Sequence, residues 1–201
     1  MDSSTALCNV ALSHLGISKE IGDVLTEKSA EASACRRFLT QVFEEVLRDM
    51  KPPFSTQIKS LALIEEEPNS EWAYSYRYPS GCLFFIRILS GLRNDSRSSR
   101  IPYKISKDDQ GKIILTDVES AECEYVSSVT DVTQFSPDLA MAASLLLASY
   151  IAPRITGGDP FKVGARALQL YNYSFSKAAG NAYSEQQDEE PTDAESILAR
   201  G

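Results

Sequence analysis

Chemistry at neutral pH usually announces itself through histidines, cysteines and paired carboxylates. This chain holds one histidine, His14, and four cysteines, Cys8, Cys35, Cys82 and Cys123. On a helix, Cys8 and His14 fall on different faces, so no thiol–imidazole dyad is implied. There is no C-x-x-C and no His/Cys cluster of the kind zinc requires. The phosphate-cradling G-x-x-x-x-G-K-[ST], the dinucleotide G-x-G-x-x-G and the G-x-S-x-G elbow are all missing. Each cysteine lies in an apolar-patterned stretch and reads as a buried free thiol in a reducing compartment. Carboxylates are plentiful, and a two-carboxylate glycosidase is not excluded by counting them. The run Glu65-Glu66-Glu67 before Pro68 and the pair Glu44-Glu45 read as solvated loop and outer helix face. Glu27 reads as a helix-start acid complementing the dipole. The residues thus name no catalytic, cofactor-binding or metal-binding set, and the chain is expected not to be an enzyme.

Any site must be positioned by helices at both ends of the chain and strands between them. Ser3 or Ser4 can cap a first helix carrying Leu7, Val10, Ala11 and Leu15, which Gly16 ends. Thr26 or Ser29 opens a long helix whose stripe runs from Cys35 through Phe38, Leu39, Val42, Phe43, Val46 and Leu47 to Met50, until Pro52-Pro53 stops it. A short helix over Ser55 to Leu63 and an acidic loop, EEEPNSE, are expected next. The period then changes. WAYSYRY, CLFFIRIL, IPYKIS, KIILT and CEYVSSV read as five short strands separated by turn residues. Helical pattern resumes with Ser136 and Pro137 as cap and first turn, and the apolar run LAMAASLLLASYIA, about 14 residues long, ends at Pro153. Asp159-Pro160 repeats that signal before a stripe of Val163, Ala167, Leu170, Tyr171, Ser174 and Ala178.

The fold class expected is α+β: a helical bundle from the N- and C-terminal thirds around a small antiparallel β domain, sandwich or barrel. The expected divisions are 1–70 and 134–184 for the helices, 71–133 for the β insert and 185–201 for an extended acidic tail. With 201 residues and 43% hydrophobic content, the chain can bury a core. Its net charge of −8 argues against a general nucleic-acid binder, because phosphate neutralisation needs clustered Lys and Arg. No apolar run approaches the roughly 20 residues of a membrane span, and MDSSTALCNV lacks the basic start of a signal peptide.

Three stretches invite an interaction reading. Tyr74, Tyr76 and Tyr78 alternate, which puts their rings on one sheet face and favours packing over base stacking. Arg93, Arg97 and Arg100 form the one basic spot, either a solvated loop or a docking point for an acidic partner such as a neighbouring copy. The tail ends in SILARG, where Ile197 and Leu198 can anchor and Arg200 can clip a partner as the segment orders.

Taken in order, LCNVALSHLGIS, LTEKSAEASACRRFLTQVFEEVLRDMKPPF, YRYPSGCL, GKIILTD, ECEYV, FSPDLAMAASLLLASYIAPRITG and EPTDAESILARG resemble the head-to-tail adaptors of short-tailed bacteriophages, the tail tubular protein A family. The resemblance covers nearly the full chain and rests on order and spacing. Two positions depart from the family pattern: Phe54, often Trp, and Gly81, often acidic. The resemblance implies a virion protein of the tail or neck, present in host cytoplasm during assembly. It implies a ring, usually of about twelve copies, between the portal protein and the tail nozzle protein. Such a ring extends the DNA channel without binding DNA specifically, takes no cofactor and meets no membrane. Glu195, Ile197, Leu198 and Arg200 would engage portal or tail segments, and Arg93, Arg97 and Arg100 a neighbouring subunit or the tail. An acidic conduit wall fits that role, since it repels phosphate and lets DNA slide. The alternative is a phage-encoded cell-wall glycan hydrolase using a carboxylate pair.

Overall fold

The computed structural model describes residues 3–91 and 100–185 of the chain. The Ser3 hydroxyl accepts from the Ala6 N–H at 3.1 Å and opens helix α1, Ser4–His14, by satisfying one of the free N–H groups of its first turn. The chain reverses at Gly16, where φ is +76°, a backbone state that favours a residue without Cβ. Asn9 pins the following loop in both directions, accepting from the Ile21 N–H at 2.8 Å and donating to its carbonyl at 2.9 Å. Ser29 then caps helix α2, Ala30–Met50, and Lys51 closes it in the left-handed region before Pro52.

Ser136 caps helix α3, Pro137–Ile155, and helix α4 follows over Pro160–Glu185. Pro153 lies inside α3 and does not end it, so the helix has 19 residues where the apolar run suggested about 14. By length and composition α3 would pass as a membrane span, yet it is mostly buried, packing against α1, α2 and α4. Its residues Leu139, Leu146, Leu147 and Ile151 are fully buried, as befits a helix that is apolar nearly all round. Each of these large apolar side chains removed from water contributes roughly 1.5–3 kcal/mol.

Seven strands lie between α2 and α3. β1 (Thr56–Ser60), β7 (Glu122–Ser127) and β4 (Cys82–Ile88) form a three-stranded antiparallel sheet in the order β1-β7-β4. β2 (Leu63–Asn69), β3 (Trp72–Arg77), β6 (Gly111–Thr116) and β5 (Tyr103–Asp108) form a four-stranded one in the order β2-β3-β6-β5. The two sheets do not close into a barrel. The first and last strands pair, so the β segment leaves the helices and returns to them at neighbouring points.

Two cores result, and the three-stranded sheet serves both. Val126, with Leu83 and Ile86 beside it, joins the core built from α1, α2, α3 and α4. Its strand neighbours Cys123 and Tyr125 point the other way, as strand alternation requires, and join Tyr76, Phe85, Ile88 and Ile114 in a second core. The fold is therefore α+β, with the β segment between helices in sequence.

The region after α2 differs from the expectation. A 3-10 turn, Pro53–Ser55, replaces the short helix expected over Ser55 to Leu63, and β1 begins at Thr56. Pairing with β7 along the whole of β1 overrides local preference: TQIKS has no helical stripe to bury, whereas its backbone finds a full ladder. The buried Ser127 hydroxyl donates to the Ser55 carbonyl at 3.0 Å and fixes the junction. The acidic stretch expected as a loop is the body of β2, an edge strand, where Pro68 forfeits no ladder bond that matters.

Candidate interaction surfaces

The tyrosine stripe is structural. Tyr76 is 1% exposed, and Tyr74 and Tyr78 pack against the same second core. The Tyr76 hydroxyl donates to the Val118 carbonyl at 2.8 Å and accepts from the Ala121 N–H at 3.4 Å. It thereby ties β3 of the outer sheet to the link leading into β7 of the inner one. Tyr78 stacks at a tilt on Phe85, with centroids 6.1 Å apart, and its hydroxyl accepts from the Cys82 thiol. Burial and that thiol push the Tyr78 phenol up. Gly81 makes the turn between them, with φ at +71°.

All four cysteines are free, and the fold brings them together two by two. Cys8 on α1 meets Cys35 on α2; the hydrogen bond between them and burial push the Cys8 thiol up. Cys82 and Cys123 face the second core, where burial raises Cys82 and pushes Cys123 up to about 11. Cys8, Cys82 and Cys123, held protonated in this way, are packing groups rather than nucleophiles, while the hydrogen bond from Cys8 lowers the pKa of the buried Cys35 thiol.

His14 ends α1 with its ring largely exposed, and Nε2 lies 3.4 Å from the Ser144 hydroxyl of α3. Burial of its inner edge lowers its pKa. The Ser144 hydroxyl is fully buried and donates to the Met141 carbonyl at 2.8 Å, and among the described residues no carboxylate bonds to His14. That is a helix-packing contact, without the orienting acid a serine nucleophile needs. Glu27 does not cap α2 either. Its carboxylate accepts from the Gly22 N–H at 2.8 Å, and hydrogen bonds from Ser29 and Gly22 lower its pKa. The acid in the first turn of α2 is Glu31, held by Lys19 at 2.7 Å. Among the described residues no group of His, Cys, Asp and Glu could hold a metal ion.

A groove of about 570 Å³ lies where α4 crosses α2 and α3. Gly164 makes the crossing close: a Cβ there would sit 3.2 Å from the Ser149 carbonyl oxygen and 3.4 Å from the Ala152 Cβ. The floor is acidic, with Glu45 and Asp49 one turn apart on α2, and the walls include Pro153, Phe161 and Leu168. Glu45 departs from the solvated outer face expected for it: it is half-buried and accepts from the Tyr150 hydroxyl at 2.7 Å, while Glu44 beside it is exposed. Burial, then the Glu45 hydrogen bond, pushes the Tyr150 phenol up to about 12. Tyr171 is also pushed up to about 12, by burial and then by Asp49 and Glu45, and its buried hydroxyl has no hydrogen-bond partner among the described residues. Because Glu45 and Asp49 project from one helix, they do not face each other across a cleft as a glycosidase pair would.

Beside this groove α4 leaves large apolar side chains in water. Its buried face is Ala167, Tyr171 and Ala178. Phe161 and Leu168 lie along one flank, while Leu170, expected in the buried stripe, and Tyr173 lie away from it. Phe161 is 76% exposed and Tyr173 75%. Only the tertiary arrangement reveals this, because Leu170 and Tyr171 stand side by side in the expected stripe and only Tyr171 is buried.

Among the residues expected to bind partners, Arg100 is placed on the surface just before β5. Arg93, Arg97, Glu195, Ile197, Leu198 and Arg200 lie outside the described residues. No protein-family model matches this chain, and no curated protein matches its sequence.

Proposed function

We propose that this protein is a non-enzymatic head-to-tail adaptor of a short-tailed bacteriophage, assembling as a ring between portal and tail nozzle and lengthening the DNA channel. In this reading the helices of the N- and C-terminal thirds make one lobe with the β layers inserted between them. The observation that carries it is the outward surface of α4. Phe161 and Leu168 are exposed on the flank of the helix that lines the groove, and Leu170 and Tyr173 are exposed on its other side, while Ala167, Tyr171 and Ala178 are already buried. Aromatic and aliphatic side chains in water, next to a groove with an acidic floor, suit a face that protein partners cover. The net charge of −8 supports a conduit that DNA passes without being retained. The order of sequence segments that resembles the adaptor family supports the same reading.

The test is the mass of the full chain in solution, alone and mixed with the portal protein of the same genome, by light scattering and negative-stain imaging. A ring, or comigration with the portal as one particle, is the expected result. A chain that stays apart from the portal at every ratio overturns the proposal.

A further inference from the structure

Among the described residues no strand pairs with either edge of the four-stranded sheet, and the two edges differ in charge. β2 presents Glu65, Glu66 and Glu67, all exposed. β5 presents Lys104 and Lys107, with Arg100 just before it, also exposed. Register makes the difference specific. Lys104 lies opposite Leu115, Leu115 opposite Ser75, and Ser75 opposite Glu65, so one row across the sheet begins with a cation and ends with an anion. The neighbouring row runs Ile105, Ile114, Tyr76, Leu63. Its middle two side chains are buried, while its ends are not: Ile105 is 46% exposed and Leu63 50%.

We propose that β5 of one copy docks along β2 of the next, joining copies of this chain head to tail. Strand order already makes the two edges antiparallel to each other. A neighbour that continues the rows in register, with Ile64 bulged as it is against β3, sets its Lys104 beside Glu65 and its Ile105 beside Leu63. Each row is completed in kind, charge by opposite charge and apolar by apolar. Two acidic edges or two basic edges would repel, so a two-fold contact is disfavoured and the junction is heterologous. Among the described residues, Lys104 has one carboxylate neighbour in its own chain, Glu71 at 3.9 Å, and both groups are well exposed, so the pair holds it weakly. Asp108, the acid at the end of β5, is already held by Arg77 at 2.9 Å.

The β2 edge also limits the contact. Register breaks follow Leu63 and Glu66, Glu67 has φ at +49°, and Pro68 lacks an N–H. These features block indiscriminate strand addition and confine docking to Leu63–Glu66, where side-chain charge decides the partner. Overall repulsion between chains of net charge −8 acts at long range, whereas the pairs act at contact. Association is therefore strongest near physiological salt, where screening reaches about 8 Å, and weaker at 1 M, where about 3 Å also weakens the pairs.

This deepens the ring reading by naming the surfaces between copies. The experiment is sedimentation of the full chain up to millimolar concentration, with two edge reversals: Glu65→Lys with Glu66→Lys, and Lys104→Glu with Lys107→Glu. Wild type should gain mass with concentration, and each variant alone should associate about tenfold more weakly or worse. Mixing the two variants should restore association, because every junction between unlike variants again pairs opposite charges. A wild type that stays monomeric, variants that associate like wild type, or a mixture that fails to recover each overturns the proposal. Portal-bound rings indifferent to both reversals would refute the edges while leaving the adaptor reading intact. Edge-dependent assembly that ignores the portal would do the reverse.

Discussion

Replacing Tyr76 with Phe tests whether one hydroxyl fastens the outer sheet to the inner one. The ring is 1% exposed and stays in place in the variant, so packing is nearly unchanged. What is lost is a 2.8 Å bond to the Val118 carbonyl and a longer one, 3.4 Å, from the Ala121 N–H. Both partners are backbone atoms that cannot be removed with the hydroxyl, and the Ala121 N–H is in a buried residue. Leaving such groups unpaired costs about 1–3 kcal/mol, and the easier burial of Phe returns only part of it, so a net loss of about 2 kcal/mol is expected. With a urea slope of about 2 kcal/mol/M, the midpoint should fall by about 1 M with the slope unchanged. In a chain of this size the melting temperature should drop by about 4–8 °C. A midpoint within about 0.2 M of wild type would show that the hydroxyl does not bridge the sheets, and the account of the tyrosine stripe would fail.

Two further outcomes follow from helix contacts. Gly164→Ala should be close to neutral by chemical denaturation, because about 1 kcal/mol of helix propensity offsets the crowding of a Cβ placed 3.2 Å from the Ser149 carbonyl oxygen. Gly164→Leu should lose about 2 kcal/mol or more by forcing α4 off α3, and a stable leucine variant would contradict the close crossing. His14 has its pKa lowered from 6.5 by burial, so the unfolded chain binds the proton more readily. Its contribution is complete above pH 6.5 and is lost as the pH falls through the lower folded value. His14→Gln should flatten the stability profile across that window, and an unchanged slope would place the ring fully in solvent.

What the sequence disclosed followed from how local each signal is. Ser3, Ser29 and Ser136 were all legible as caps, because a cap is decided within four residues. The five central strands were legible for a similar reason, alternation bounded by turns. β1 and β2 were not. TQIKS and LIEEEPN are mostly polar and exposed, and only pairing with β7 and β3 makes them strands. Leu170 looked like core by spacing, but α4 turns that flank away from α3, and no local rule reports which side of a helix its neighbours occupy. The groove was illegible for the same reason: Glu45 acquires its meaning from Tyr150, 105 residues away. The opposed edge charges were present as letters, EEE and YKISK, yet became a surface only once strand order placed β2 and β5 at the two ends of one sheet.

That placement separates assembly from folding. The inner sheet is committed on both faces, to the helical core through Val126 and to the second core through Cys123 and Tyr125. Perturbing it disturbs both cores at once, whereas Tyr76 probes the fastening of the outer sheet to the link into β7 within the second core. The side chains at the outer edges bear on neither core: Glu65, Glu66, Lys104 and Lys107 are exposed and carry charge that folding does not require. Substitutions there should therefore shift the melting temperature by little, within the roughly 0.5 kcal/mol usual for surface positions, while changing which edges can meet. If the charge reversals lowered stability as much as Tyr76→Phe does, the edge charges would be part of the folding balance. The loss of association in those variants would then reflect unfolding rather than recognition. Thermal melts of both reversal variants beside Tyr76→Phe distinguish the two cases, and a drop of under about 2 °C in the reversal variants is the outcome that keeps assembly and folding separate.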